Sequence, residues 1–319
     1  MHDTEWLGRR LDGRYEVKRL VRRGGMGAVY QGVRLGLDKL VAIKVAGAEL
    51  QSHSARLLRE ARMMAKINHA NVCRVFDLGA AGEAPYIVME WLGGESAHDR
   101  LLRGRFSIPE TQHVIGELLS AVEAVHAAGL IHRDVKPANV MLCEGPAPTV
   151  KLIDFGLARR LDAVEGDVTR VGIVVGTPHY MAPEAIRGLT LDERCDVYSV
   201  GALAHHMLSG APPVRALGEG DLFRRVARGD VDRLVDVAPH VPSEICDVVE
   251  RALSKRPEDR FQSAAEFRRA WDALPRYTSF ERAPRHQSGM EWSLDPDRLQ
   301  QFDGDLEPTM PFVPARGRR

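Results

Sequence analysis

The chain has 319 residues, 44% hydrophobic and 28% charged, enough apolar content for a real core under a soluble surface. That length fits two modest domains, or one two-lobed unit with a tail. Lys plus Arg and Asp plus Glu balance at 44 each, so no net field directs the chain to nucleic acid or an anionic membrane.

Residues 1–11 read as an N-terminal extension, and Met1-His2-Asp3-Thr4 does not read as a signal peptide. Strands follow at Tyr15-Glu16-Val17, then Arg23-Gly24-Gly25-Met26-Gly27-Ala28-Val29-Tyr30, then Val41-Ala42-Ile43-Lys44-Val45. Glycines between β-branched runs predict a hairpin whose tip approaches a ligand closely, although glycines also make ordinary turns. Lys44 lies in a buried-looking strand, where an unpaired ammonium would be costly. From Ala55 to Ile67 the spacing predicts a helix with Leu57, Met64 and Ile67 on one face and Glu60 within that arc. Two more strands are expected at Val72 to Asp77 and Tyr86 to Glu90, with Gly93-Gly94 as a joint.

Ser107 and Glu110 form a capping-box start. Val114, Ile115, Leu118, Leu119, Val122 and Val125 then recur at helical spacing up to Gly129. That helix leads into His132-Arg133-Asp134-Val135-Lys136-Pro137-Ala138-Asn139, followed by Asp154-Phe155-Gly156 and Ala182-Pro183-Glu184. Phosphoryl transfer needs a carboxylate to orient the attacking hydroxyl, oxygen ligands for magnesium, and a cation to offset moving phosphate charge. Asp134 suits the first role, Asn139 and Asp154 the second, Lys136 the third. Asp196 opens another helix, and Ser263 with Glu266 is a second capping box. Residues 275–319 hold six prolines and no sustained period, so a mostly disordered or loosely docked tail is expected. Cys73, Cys143, Cys195 and Cys246 lie far apart, as in a reduced intracellular protein. No stretch approaches the roughly 18–20 apolar residues of a membrane span, and a cytoplasmic location is expected.

These three motifs, in this order, resemble the eukaryotic-type (Hanks-type) serine/threonine protein kinase family, and Gly-Gly-Met-Gly-Ala-Val-Tyr resembles its bacterial members. The resemblance covers roughly residues 12–274. It implies an α+β bilobal fold, with a β-rich N-lobe (12–92) carrying one main helix and a mainly helical C-lobe (93–274). The implied cofactors are ATP in the cleft and Mg2+, for which Mn2+ is an admissible substitute.

By the same resemblance Gly24, Gly25 and Gly27 cover the phosphates, while Arg22 stands where a first glycine belongs and is expected to point to solvent. Lys44 pairs with Glu60 and holds the α- and β-phosphates. Met89 is the gatekeeper, main-chain groups of Glu90 and Leu92 bond adenine, and Val29, Ala42 and Met141 sandwich its ring. Asp196 anchors the loop that bears Asp134, and Arg260 pairs with Glu184. Lys136 and the Gly176-Thr177-Pro178 wording mark the Ser/Thr branch, with Thr177 contacting Asp134 and Lys136.

Thr169 is the one hydroxyl residue between Leu157 and Val175. It is therefore the expected activating autophosphorylation site, its phosphate held by Arg133 and Arg159. Protein substrates with Ser or Thr are implied, with self-association as a route to trans-autophosphorylation; nucleic acid is not. Two alternatives stand beside the active kinase. A pseudokinase scaffold has only Arg22 in its favour, and a small-molecule kinase is opposed by Lys136 and the Ala182-Pro183-Glu184 segment.

Overall fold

The computed structural model of the chain describes residues 6–24, 27–47, 58, 61–82, 84–144, 149–154 and 178–277. The chain divides into two compact units, 1–283 and 284–319, and all described residues lie in the first.

Six antiparallel strands form the first sheet: β1 (Arg10–Leu11), β2 (Tyr15–Gly24), β3 (Gly27–Arg34), β4 (Lys39–Ala46), β5 (Val75–Ala81) and β6 (Ala84–Glu90). They lie in the order β1-β2-β3-β4-β6-β5. Period-two alternation gives this sheet two different faces. On one, Tyr15, Val17, Tyr30, Val41, Ile43, Tyr86 and Val88 build a core that Trp6 and Leu11 complete. The segment expected as an extension is thus packed into the lobe, with the Gly8 N–H donating to Val17 O and the Val17 N–H to Arg9 O. On the other face Ile87 and Met89 join a larger core that includes Ala61 and Met64. Residues 61–64 are helical; Glu60 lies outside the described residues.

A three-stranded sheet of β7 (Gly94–Ser96), β8 (Val140–Cys143) and β9 (Thr149–Leu152) floors the cleft beneath the first. Beyond residues 61–64, the helices among the described residues are α1 (Ala97–Leu101), α2 (Ile108–Ala127), α3 (Pro183–Ile186), α4 (Arg194–Ser209), α5 (Glu219–Arg228), α6 (Leu234–Val237), α7 (Ser243–Ala252) and α8 (Ala264–Asp272). At the start of α2 the capping box forms as the sequence predicts: Ser107 Oγ accepts from the Glu110 N–H, and the Glu110 carboxylate from the Ser107 N–H. Its stripe from Val114 to Val125 is buried. The helix α4 is buried nearly all round because it runs through the middle of this lobe. At Gly201 a Cβ would meet the Ala252 Cβ at 2.8 Å, so only glycine lets α4 and α7 approach this closely.

One expectation needs correction at the C-terminal end. At α8, Ser263 Oγ accepts from the Glu266 N–H, but the Glu266 carboxylate accepts from the Gln262 N–H instead. The box is half formed, since the glutamate is also drawn to Arg251 at 2.7 Å. The chain also stays docked three residues past Leu274: Gln112 Nε2 donates to Pro275 O, and the Tyr277 hydroxyl donates to Glu244. Among the described residues no helix is long and apolar enough to cross a membrane.

Candidate active site

The centre of the site is the loop between α2 and β8, and its shape is imposed from below by Asp196. This carboxylate, fully buried on α4, accepts from the His132 N–H at 2.7 Å and the Arg133 N–H at 2.8 Å. It also lies 2.8 Å from His126 Nε2. Burial alone would raise its pKa, but the His126 hydrogen bond and charge, with the Arg133 amide, hold it below the usual carboxylate range. The two fixed amides put Arg133 in the left-handed region, with φ 66. A bend this tight turns the chain so that Asp134 faces the cleft.

Burial drives the His132 pKa down, so its ring is neutral at physiological pH. The tautomer then follows: Nε2–H donates to Ile153 O, leaving the Nδ1 lone pair to accept from the Asp134 N–H. One ring thereby ties the Asp134 loop to the residue preceding Asp154.

Around Asp134 the predicted groups converge. Its Oδ2 lies 2.8 Å from Lys136 Nζ and accepts from Asn139 Nδ2 at 2.9 Å. Asn139 is held by the turn Pro137–Asn139, and its Nδ2 also donates to Asp134 O and toward Asp154 O. All its side-chain donation leaves from Nδ2, so Oδ1 is the oxygen it can offer to a cation. Asp154 has φ 50 and receives Lys44 Nζ at 2.6 Å. Burial raises its pKa, yet the Lys44 ammonium more than offsets this and the carboxyl stays below its usual range.

The cleft above is set by strand register. Directly opposed residues of an antiparallel pair share a face, and Val29, Lys44 and Ile87 stand opposite one another in a row. Ala42 pairs with Met89 in the next row of that face, and Met89 is buried at the back. Met141 lies on the floor, between Ser96 on β7 and Lys151 on β9. Val29, Ala42 and Met89 therefore share one face of the first sheet, and Met141 lies on the second sheet. Leu92 packs on the main core at its edge.

Of the remaining candidates, Gly24 and Gly27 face each other at the hairpin end. Gly25, Glu60, Arg159, Thr169 and Thr177 lie outside the described residues. The expected Glu184–Arg260 pair is present and buried, with bonds of 2.6 and 2.7 Å; the guanidinium also donates to Ser254 O, Arg194 O and Lys255 O.

One contact near the site escaped sequence reasoning. The Glu90 carboxylate accepts from the Arg74 N–H at 2.8 Å and from Lys151 Nζ at 2.7 Å. It thus fastens the joint between the lobes to the strand that leads to Asp154. No spacing or local pattern in the sequence links residues 61 apart.

The donor set fits magnesium. A carboxylate and an amide oxygen are hard ligands, and this ion is commonly held by one or two such groups together with substrate phosphates.

A strand-rich small lobe, a helical large lobe, and a lysine, two aspartates and an asparagine gathered between them define the protein-kinase-like class. The chain belongs to the protein kinase domain family, whose model matches residues 15–271. It is 38% identical over 265 residues to the serine/threonine-protein kinase Pkn1 of Myxococcus xanthus, covering 81% of this chain and 38% of that one. It is 38% identical over 272 residues to the serine/threonine-protein kinase PknB of Mycolicibacterium smegmatis, covering 81% and 42%. The chain thus spans about two fifths of the length of these curated relatives. Among solved structures it resembles the kinase domain of Mycobacterium tuberculosis PknI, with TM-score 0.66, 27% identity, and coverage of 83% of this chain and 97% of that one.

Proposed function

We propose that this chain is a serine/threonine protein kinase that transfers the γ-phosphoryl group of ATP to Ser or Thr hydroxyls of protein substrates. The observation that carries this reading is the convergence on Asp134: a carboxylate within hydrogen-bond reach of both Lys136 and Asn139, with the Lys44–Asp154 pair beside it.

In this mechanism the Asp134 carboxylate accepts a hydrogen bond from the substrate hydroxyl, orients its oxygen toward the γ-phosphorus and takes the proton as the new O–P bond forms. The bond from the γ-phosphorus to the bridging oxygen breaks, leaving ADP. Lys136 offsets negative charge developing on the phosphoryl oxygens, and Lys44 turns from Asp154 to the α- and β-phosphates. Asn139 Oδ1 and the Asp154 carboxylate would hold magnesium, which when bound supplies positive charge to the phosphate oxygens. Lys136 and the names of the relatives favour Ser/Thr over other acceptors. Autophosphorylation of Thr169, with its phosphate on Arg133 and Arg159, is the activating step within the same reading.

Incubation with radiolabelled ATP and a generic basic protein, with and without magnesium, tests the proposal. Label on Ser and Thr of the protein is the expected result. Stabilisation by Mg·ATP without any transferred label would point instead to a nucleotide-binding scaffold.

A further inference from the structure

Among the described residues, two ion pairs join the small-lobe sheet to the stretch 149–154. Lys44 Nζ meets Asp154 Oδ1 at 2.6 Å, and Lys151 Nζ meets Glu90 Oε1 at 2.7 Å. The site described above uses the first and has no role for the second. Both pairs keep one register. Ile87 on β6 stands opposite Lys44 on β4, and Glu90 lies three residues further along β6. On the other side, Asp154 lies three residues beyond Lys151. At roughly 3.3 Å per residue, the two bonds are about 10 Å apart along each partner.

Glu90 is held on two sides. Its N–H donates to Arg74 O at 2.9 Å, and its Oε1 accepts from the Arg74 N–H at 2.8 Å. The segment before Arg74 runs parallel to β9: the Leu152 N–H donates to Asn71 O at 2.8 Å, and the Cys73 N–H to Leu152 O at 2.9 Å. Glu90, Arg74, Cys73, Leu152 and Lys151 thus close a ring, in which the Lys151–Glu90 bond is the side-chain link. The two side chains are only 18% and 21% exposed, so water screens their attraction weakly. Beyond the ring, the Ile153 N–H donates to Asn139 O at 2.9 Å, so the stretch after β9 leads directly to both proposed metal ligands.

We propose that the Glu90–Lys151 bond is the pivot between the small lobe and β9, and that it keeps Lys44 in register with Asp154 while nucleotide is bound. Lys44 must leave Asp154 to reach the phosphates. Of the two ion pairs, Glu90–Lys151 is then the one that still holds the sheet to β9. With a lever of about 10 Å, a turn of about 10° carries Lys44 roughly 2 Å, beyond the tolerance of a hydrogen bond. Glu90 and Lys151 are positioning residues that act through Lys44 and Asp154. The pivot rests on the proposed kinase reading.

Steady-state kinetics of the full chain with ATP and a generic basic protein tests it, comparing the wild type with Lys151→Met, Lys151→Arg, Glu90→Gln and the Met/Gln double variant. Glutamine keeps an acceptor for the Arg74 N–H, and thermal melts report whether each fold is intact; Glu90→Gln carries the test if Lys151→Met fails to fold. Each neutral single variant should raise KM for ATP about three- to tenfold with kcat within about twofold, the pattern of lost binding rather than lost chemistry. KM for the protein substrate should not move. The double variant should be no worse than the worse single, and arginine should keep KM for ATP near the wild type. An unchanged KM, multiplicative losses, or an arginine variant as weak as methionine would overturn the pivot. So would variants that turn over faster than the wild type, since the bond would then be a restraint. A wild type that transfers no phosphate overturns the kinase reading instead. Calorimetry with Mg·ADP then decides the pivot: the same three- to tenfold pattern upholds it and equal affinities overturn it.

Discussion

At the scale of single residues, the site depends on charges placed where burial would otherwise neutralise them. Asp134→Asn keeps a hydrogen-bonding side chain of the same shape but cannot take a proton. Turnover should fall by about 10²–10⁴-fold, while ATP binding by calorimetry stays near the wild type; unchanged turnover would remove Asp134 from its role. A second residue-scale expectation concerns acid. Burial pushes His206 from its ordinary 6.5 down to about 4, and its Nδ1 accepts the Tyr180 hydroxyl at 2.6 Å. The fold therefore favours neutral His206. This contribution is fully present above pH 6.5 and is lost as pH falls through about 4, and it is on the order of 3 kcal/mol in that window. His206→Gln should flatten the decline of unfolding free energy between pH 6.5 and 4 in urea titrations. Part of the slope should remain, because burial also lowers the pKa values of His132 and His205. Parallel declines in the two proteins would show that His206 titrates without linkage to folding. The acid-base residues were legible from the chain because their chemistry is spelled by residue type within short motifs. The Glu90–Lys151 bond and the His206–Tyr180 bond were not, since each joins groups that only the folded chain brings together.

Elements show the same division. The helix α2 was legible from end to end, because Ser107, Glu110 and the apolar spacing are all local signals. The half-formed cap at Ser263 was not, because Arg251 on α7 competes for Glu266. The bond between Glu184 on α3 and Arg260 came from family resemblance; as bare sequence each is a charge near a helix end. Its place in the fold makes a strong prediction. Arg260 is 1% exposed and donates to three backbone carbonyls as well as the carboxylate, so it ties α3, the start of α4 and the chain before α8 together. Arg260→Ala leaves Glu184 buried without its counter-charge, and loss of one partner of such a pair costs about 3–5 kcal/mol. A matching loss in urea midpoint is expected, together with lower activity, since Pro178–Tyr180 and α3 pack against α4 and α5 near the cleft. A variant as stable as the wild type would mean that water replaces the guanidinium.

Across the whole molecule, the bilobal plan could be read from the order of strand-like and helical patterns, but the second core of the small lobe could not. Period-two alternation shows that a strand has two faces and is silent on what covers the outer one. Here the cover comes from ahead of the family match, which begins at Tyr15. Trp6 is 3% exposed among Leu11, Tyr15, Val17 and Tyr30, with the Arg9 guanidinium 5.2 Å from its ring. Below it, Tyr86 donates to Asp12 at 2.6 Å and Tyr15 donates to Asp77 at 3.0 Å, so the same short segment is fastened by polar bonds at the sheet edge. Removal of a buried aromatic ring costs about 3–5 kcal/mol. Trp6→Ala should therefore destabilise the protein by about that much in urea. The loss should fall first on the small lobe, because this core is separate from the one that joins the lobes. Hydrogen exchange locates it: amides of β2, β3 and β4 should exchange faster in the variant, while those of α2 and α4 keep their protection. Equal acceleration in both lobes would mean that the two cores unfold as one unit, and no acceleration would mean that Trp6 is a surface contact.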